Sequence, residues 1–401
     1  MVIVGGGKAG ARAAIAFREN GWEGPVTLIS DEALLPYDRP PLSKAAITDD
    51  AEPEAVLLLD KDMISSLKLT YIANAAATSV DREKQIVELS DGQHVPYQKL
   101  LLALGAEPRR LSLAGAERAL MLRNHDDALK IRLAFVPGKT VAIIGGGFIG
   151  LELAASAAKR GCKVTVIEAQ PRILMRGVPE SIAIQVHDRH ASFGTALVTS
   201  TAIDSITANE VVLSNGRRIF AEIIVAGIGA SPRIALAQQA GLLIDNGIAC
   251  SAGMQTSDPD IYAAGDCCSF PHSVFGNARV RLEAWRSASD QAVVAVENML
   301  GGSATCMAVP WFWSDQHDLT LQIAGLPHLG TATVNRPGKD GAFILCHLNA
   351  DGRLVGASGI GQGNAIARDV RLLEMLIGKG AKPDHALLAD GNAQLKALLK
   401  A

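Results

Sequence analysis

An α/β protein with two parallel-sheet units and a separate C-terminal α+β domain is expected from three features of the 401-residue sequence. A strand–glycine–helix pattern occurs twice, an acidic residue closes each copy, and the hydrophobic periodicity changes from about Cys306. In the first copy an apolar run from Met1 to Val4 precedes Gly5-Gly6-Gly7-Lys8-Ala9-Gly10, and an alanine-rich stretch then stops at Gly21. Val26 to Ile29 follows and leads to Ser30-Asp31-Glu32. The same order returns with Val141 to Ile144, Gly145-Gly146-Gly147-Phe148-Ile149-Gly150, a helical stretch to about Gly161, and Lys163 to Ile167 ending at Glu168.

Each glycine of such a turn has its own physical task. The first allows the tight turn, the second lets backbone approach a pyrophosphate, and the third lets helix pack on strand. The helix N-terminus then offers free N–H groups and a positive dipole to phosphate. Asp31 and Glu168 follow the last glycines by about 20 residues, the spacing at which a carboxylate accepts from a ribose 2′-OH. One such glycine pattern is weak, but two in full strand–helix–acid context point to two Rossmann-like dinucleotide-binding domains.

Between the copies, Val87 to Leu89, the turn at Asp91-Gly92 and Leu100 to Leu104 read as short strands that complete the first unit, and Gly105 to Pro108 breaks the run. Ile223 to Ala226 with the breaker Gly227 to Pro232 closes the second unit in the same manner. The expected division is a discontinuous domain of residues 1–105 and 232–305, a second of residues 106–231, and a third of residues 306–401. In the third, strand-like runs (Thr320 to Ala324, Phe343 to Leu348, Leu354 to Ala357) and helix-like segments (Ala367 to Ile377, Gln394 to Leu399) predict α+β structure.

Composition narrows the function classes. Hydrophobic residues make up 48% and charged residues 20%, which excludes a disordered chain. A net charge of -3 supplies no global field for nucleic acid. No apolar run approaches the roughly 20 residues that span a bilayer, and Met1 already begins the first strand, so a soluble chain without a leader is expected. Cys162, Cys250, Cys267, Cys268, Cys306 and Cys346 have neither zinc-site spacing nor the density of a secreted disulfide framework. That favours a reducing cytoplasm and no metal. The vicinal Cys267-Cys268 follows Asp266 at an expected helix start and reads as buried small residues rather than a strained disulfide.

At five places the residues resemble one flavoprotein family. The two glycine turns, Leu35-Pro36-Tyr37-Asp38-Arg39-Pro40-Pro41-Leu42-Ser43-Lys44, Ile261-Tyr262-Ala263-Ala264-Gly265-Asp266 and Pro310-Trp311-Phe312-Trp313-Ser314-Asp315-Gln316 are similar to those of FAD-containing, NADH-dependent ferredoxin reductases of aromatic-ring dioxygenases. Putidaredoxin and rubredoxin reductases are near relatives, apoptosis-inducing factor a more distant one, and the whole group has a glutathione-reductase-like architecture. The resemblance spans essentially the whole chain.

It implies that Gly5, Gly7, Ala9 and Gly10 hold the FAD pyrophosphate and Asp31 the adenosine ribose. Lys44 would lie beside the isoalloxazine, while Val80, Arg123, Asp266, Glu283 and Trp285 would contribute to the cofactor site, Asp266 near the ribityl chain. Thr256, upstream of Asp266, matches the family's second flavin motif; an Asp capping a following helix is the plainer reading of the same turn. The second turn, through Gly145, Gly147, Phe148, Ile149 and Gly150, would hold NADH with Glu168, Arg176 and Gly229. Glu168 favours NADH because a carboxylate repels a 2′-phosphate, whereas Arg172 and Arg176 would suit one.

For catalysis the resemblance implies a Lys44–Glu152 pair at the reacting edge of the flavin and Trp313 beside the ring. Without it, Glu152 reads as a solvated acid near a helix start. The implied partner is a 2Fe-2S ferredoxin that accepts electrons singly, met transiently by a monomer or weak homodimer; nucleic acid and membrane are not expected partners. Ferredoxins are usually acidic, so Arg39, Arg109, Arg110, Arg279, Arg281 and Arg286 are candidates for a docking rim. Disulfide reductases of this architecture need a cysteine pair near the flavin, and no cysteine precedes Cys162. A reductase for a rubredoxin or a cytochrome P450 ferredoxin, or a flavin switch like apoptosis-inducing factor, remain the alternatives.

Overall fold

The computed structural model describes residues 1–49, 51 and 53–399, and these gather into two compact units. The first comprises Met1–Asp38, Val56–Glu107 and Pro232–Phe312; the second comprises Arg39–Ala55, Pro108–Ser231 and Trp313–Ala401.

In the first unit, Val2–Val4 is the middle of a parallel sheet, with Val26–Ile29 and Leu69–Ile72 on one side and Leu100–Leu102 and Ile261–Ala263 on the other. A strand buried on both faces must be apolar throughout, and Val2, Ile3, Val4, Leu100, Leu101 and Leu102 are all buried. Gly5, at φ +117°, turns the chain straight into the helix Lys8–Glu19. Its successor Gly10 permits the closest approach in the unit: a Cβ there would lie 1.9 Å from the Gly5 carbonyl oxygen.

The second unit repeats this design. Thr140–Ile144 has Lys163–Ile167 and Ala196–Val198 on one side and Ile223–Ala226 and Leu120–Met121 on the other, all parallel. Gly145 turns at φ +105° into the helix Phe148–Lys159, and a Cβ on Gly150 would lie 2.1 Å from the Gly145 carbonyl oxygen. In both units an antiparallel three-stranded meander separates the outermost strand on one side, Leu69–Ile72 or Ala196–Val198, from the strand that joins the other side, Leu100–Leu102 or Ile223–Ala226. It is Ala77–Asp81, Ile86–Leu89 and His94–Pro96 in the first, and Ile203–Ile206, Glu210–Leu213 and Arg218–Phe220 in the second. Counted along the chain, the sheet order is third, second, first, fourth, fifth in the first unit and fourth, third, second, fifth, first in the second, where Leu120–Met121 precedes the glycine-turn strand; both keep that strand at the centre, as in a mononucleotide-binding βαβ sheet.

The C-terminal sheet has the order Trp311–Gln316, Leu319–Gly325, Leu354–Gln362, Phe343–Leu348, Ala332–Pro337. Its last four strands pair antiparallel, and the helix Ala367–Gly378 packs its buried Val370, Leu373, Leu376 and Ile377 on the sheet.

Three local features depart from the sequence reading or add to it. No helix follows Asp266: Cys268–His272 is a strand, paired antiparallel with Ala278–Val280, and the next long helix begins at Trp285. Asp266 therefore caps no helix, and Cys267 and Cys268 are free, fully buried thiols at the start of a strand. Trp311–Gln316 is also a strand, although its buried positions after Trp313 are Ser314 and Gln316, an alternation that hydrophobicity cannot reveal. The third is Ala332–Pro337, an edge strand with mostly exposed residues and a proline at its end, a place where a missing N–H is tolerated.

Gly10→Ala and Gly150→Ala drive a methyl into backbone, so each should lower the thermal midpoint of the cofactor-free protein by several degrees. Gly7→Ala and Gly147→Ala, where nothing lies within 4 Å of a new Cβ, should cost less than about 1 kcal/mol. Equal losses at the inner and open positions would contradict this packing.

Candidate functional site

The two glycine turns present the same cradle. The middle glycines, Gly7 and Gly147, are the helix N-caps, and neither helix has a side-chain cap or an acidic residue in its first turn. The first N–H groups of each helix are thus left without the side-chain acceptor that usually satisfies them. With open space in the direction of each missing Cβ, this is the shape and polarity that a pyrophosphate requires. Ala9 and Gly10 are buried in the first turn of their helix, as Gly150 is in the second; Phe148 is half-buried and Ile149 exposed.

Around the first cradle the structure places several of the expected residues. Asp31 pairs with Arg233 at 2.8 Å at the end of the second strand. Gly265, at φ +86°, donates its N–H to Gln291, which positions the Asp266 turn at the mouth of the fifth strand. Trp285 donates its indole N–H to Asp38 at 2.6 Å, and the Lys8 ammonium lies 3.5 Å from the centre of its ring. Burial lowers the Lys8 pKa, and the Asp38 carboxylate opposes that shift. The Lys8–Trp285–Asp38 cluster was not signalled by spacing, since Lys8 occupies a position that the glycine pattern leaves unspecified. Glu283 is paired with Arg281 at 2.5 Å. Val80 lies apart from these, buried on the meander opposite Val87.

At the second cradle Glu168 accepts from the Gly146 N–H at 2.7 Å and the Gln170 N–H at 2.8 Å. The acid thereby fixes the glycine turn and keeps lone pairs for a further donor. Arg172 donates to the carbonyls of Ile173 and Val178, so its guanidinium braces the following loop, whereas Arg176 is exposed on that loop. Gly229, at φ +107°, accepts from the Arg109 N–H across the neighbouring segment.

The three expected catalytic residues come together within the second unit. Glu152 is only 4% exposed, which overturns its reading as a solvated helix-start acid. One of its oxygens, Oε2, accepts from the Ser43 hydroxyl at 2.5 Å and meets Lys44 Nζ at 3.0 Å; the other, Oε1, accepts from the Ser314 hydroxyl at 2.5 Å. Lys44 Nζ also lies 4.0 Å from Asp315 Oδ2 and 6.0 Å from the Trp313 ring centre. A buried carboxylate needs this many donors, because leaving it unpaired costs several kcal/mol. The turn Pro40–Ser43 places Ser43 and Lys44: prolines at the first helical positions preset its backbone, and the Ser43 carbonyl is held by Ser156 from the helix that carries Glu152. Arg123 belongs to the same unit; its carbonyl accepts from Arg39 at 2.6 Å just before the capping box of Asn124 and Asp127. Ser43, Ser314 and Gln316 sit inside motifs read for their neighbours, and their polarity was the one available signal.

The arginines of the expected rim are largely engaged. Arg279 pairs with Asp245 and donates to the carbonyls of Ser269 and Cys250. Arg281 is tied to Glu283, and Arg286 lies 5.0 Å from the Trp311 ring centre. Among the described residues no group of three or more His, Cys, Asp or Glu could hold a metal, and no helix is long and apolar enough to cross a membrane.

Two glycine-turn cradles of one design, with a lysine paired to a buried glutamate, define a two-dinucleotide flavoprotein reductase. Residues 1–292 match the pyridine nucleotide-disulphide oxidoreductase family and residues 311–399 the reductase C-terminal domain, and the chain belongs to that family. It is accordingly an FAD- and NADH-dependent oxidoreductase. The ferredoxin–NAD(+) reductase component of an anthranilate 1,2-dioxygenase system from Burkholderia cepacia is 38% identical over 407 residues, covering 100% of this chain and 99% of that protein. Rhodocoxin reductase from Rhodococcus erythropolis is 36% identical over 387 residues, 94% of this chain and 90% of its own. A crystal structure of a covalent putidaredoxin reductase–putidaredoxin complex superposes with a TM-score of 0.94 at 32% identity, covering 100% of this chain and 97% of that one.

The disulphide of the family's description has no counterpart among the described residues. All six cysteines are free and buried, and burial pushes the Cys267, Cys306 and Cys346 thiols up to about 12. Ellman's reagent should therefore find almost no fast-reacting thiol in native protein and six after unfolding in urea. Two fewer in urea would reveal a disulfide, and a rapid native reaction would contradict the burial.

Proposed function

We propose that the chain takes hydride from NADH onto FAD and delivers the electrons one at a time to a small 2Fe-2S ferredoxin serving an aromatic-ring dioxygenase. The observation that carries this reading is the occurrence of two cradles of equal geometry and a Lys44–Glu152 pair in a chain whose six cysteines are all free and buried. Bound FAD supplies the chemistry by which a two-electron hydride becomes two single-electron transfers.

The protein's part is to hold and orient. Gly5, Gly7, Ala9, Gly10 and the start of Lys8–Glu19 bind the FAD pyrophosphate, and Asp31 accepts from its ribose. Gly145, Gly147, Gly150 and Phe148–Lys159 do the same for NADH, with Glu168 on the adenosine ribose. Lys44 and Glu152 serve the reacting edge of the flavin: a cation and an anion held 3.0 Å apart can hold a proton there without net charge. Trp313, beside Lys44, walls that edge. In domain terms, residues 1–105 and 232–305 bind FAD, residues 106–231 bind NADH and residues 306–401 complete the flavin side. Six unpaired thiols suit a reducing cytoplasm, and a monomer or weak dimer suffices.

NADH should bleach the yellow protein rapidly, and cytochrome c reduction should require an added 2Fe-2S ferredoxin. A long-lived reduced complex that passes electrons to no acceptor would instead mark a flavin switch. Rubredoxin in place of ferredoxin restoring the full rate would move the chain to the rubredoxin reductases.

Cofactor choice gives a separate test. Glu168→Ala removes a charge-assisted acceptor, so kcat/KM for NADH should fall by about 1–3 kcal/mol in transition-state terms while NADPH is affected less. An unchanged NADH to NADPH ratio would remove Glu168 from the ribose.

A further inference from the structure

Ser314 does more than donate to Glu152, because it is one link of a buried chain. Its oxygen lies 2.8 Å from Gln316 Nε2, and Gln316 Oε1 lies 3.0 Å from His190 Nε2 on the helix Glu180–Ser192. Ser314, Gln316 and His190 are at most 1% exposed, and His190 Nδ1 has no hydrogen-bond partner among the described residues. Burial pushes the His190 pKa down to about 4, so at neutral pH its ring carries a single N–H.

Counting protons fixes the direction of the chain. Ser314 has one proton, and Glu152 Oε1 at 2.5 Å needs it, since two bare acceptors cannot share that distance. Ser314 must then accept, which turns the Gln316 amide nitrogen toward it and the amide oxygen toward His190. His190 must donate from Nε2, and the partnerless Nδ1 is then a bare lone pair. The opposite tautomer would bury an unsatisfied N–H and set the Ser314 oxygen against a carboxylate.

Resting on the reading that Glu152 serves the flavin's reacting edge, we propose that Ser314, Gln316 and His190 are positioning residues that aim a one-way series of three donated hydrogen bonds at Glu152 and hold it against Lys44. The series is a brace and not a proton wire. Gln316 accepts on oxygen and donates from nitrogen, so no proton passes through it without an imidic tautomer.

The tautomer is read directly in flavin-bound wild-type protein by NMR of ¹⁵N-labelled histidine, with His190→Phe assigning the resonance. A neutral Nε2–H ring at pH 7 is expected; an Nδ1–H or charged ring overturns the chain. Stopped-flow reduction by NADH supplies the second reading. Ser314→Ala should slow it about tenfold, while Ser314→Thr, which keeps the hydroxyl, should stay within about twofold. Gln316→Met should slow it comparably to Ser314→Ala and release His190 into a tautomer mixture. Equal rates for the Ala and Thr variants, or an unchanged His190 tautomer in Gln316→Met, would overturn the proposal. Should NADH fail to reduce wild-type protein at all, the functional reading falls, and the tautomer alone decides the chain.

Discussion

A carboxylate that is 4% exposed cannot exist without donors, and the second unit is organised around that constraint at Glu152. The cluster draws on three stretches of chain: Ser43 and Lys44 from the proline-led turn, Glu152 itself from the glycine helix, and Ser314 from the first strand of the C-terminal sheet. Segments separated by more than a hundred residues are thereby drawn to one point. The glycine cradle opens at the start of the same helix, so the backbone that would meet a phosphate and the side chain that would meet a reacting ring are fixed by one rigid element. The geometry of the pair then follows from the fold rather than from flexible loops.

How legible this was depends on which kind of force dominated. The parallel sheets could be read because buried strands must be apolar runs, and the glycine turns because φ above +100° at Gly5 and Gly145 leaves glycine as the residue that fits. The acid at Glu168 was singled out by spacing, and its bonds to Gly146 and Gln170 add a role that spacing could not supply. Ser314, Gln316 and His190 were hidden because polar residues in the interior invert the pattern that marks a strand's inner face. Cys268–His272 was mistaken for a helix start because strand and helix following a Gly-Asp turn differ in long-range pairing, here with Ala278–Val280, which local sequence does not carry.

The charged surface shows the same limit. Arg279, Arg281 and Arg233 each meet an acid of their own unit, Asp245, Glu283 and Asp31. Exposed pairs of this kind contribute little stability, but they leave less unneutralised charge than a count of arginines suggests. A docking surface here would depend on the field of the whole face and on stacked groups such as Arg286 over Trp311.

The strand Trp311–Gln316 also limits how this protein can change. Side chains alternate along a strand, so Ser314 and Gln316 point inward while Trp313 and Asp315 flank Lys44 on the other side. Inserting or deleting one residue would exchange the two faces, bringing an indole and a second carboxylate against Glu152. Substitutions along this hexapeptide can be sampled one at a time, but its length cannot drift, in contrast to the loop between Gly338 and Gly341, where an added residue meets solvent. The reading frame of six residues is thus as strictly held as the chemistry of any one of them.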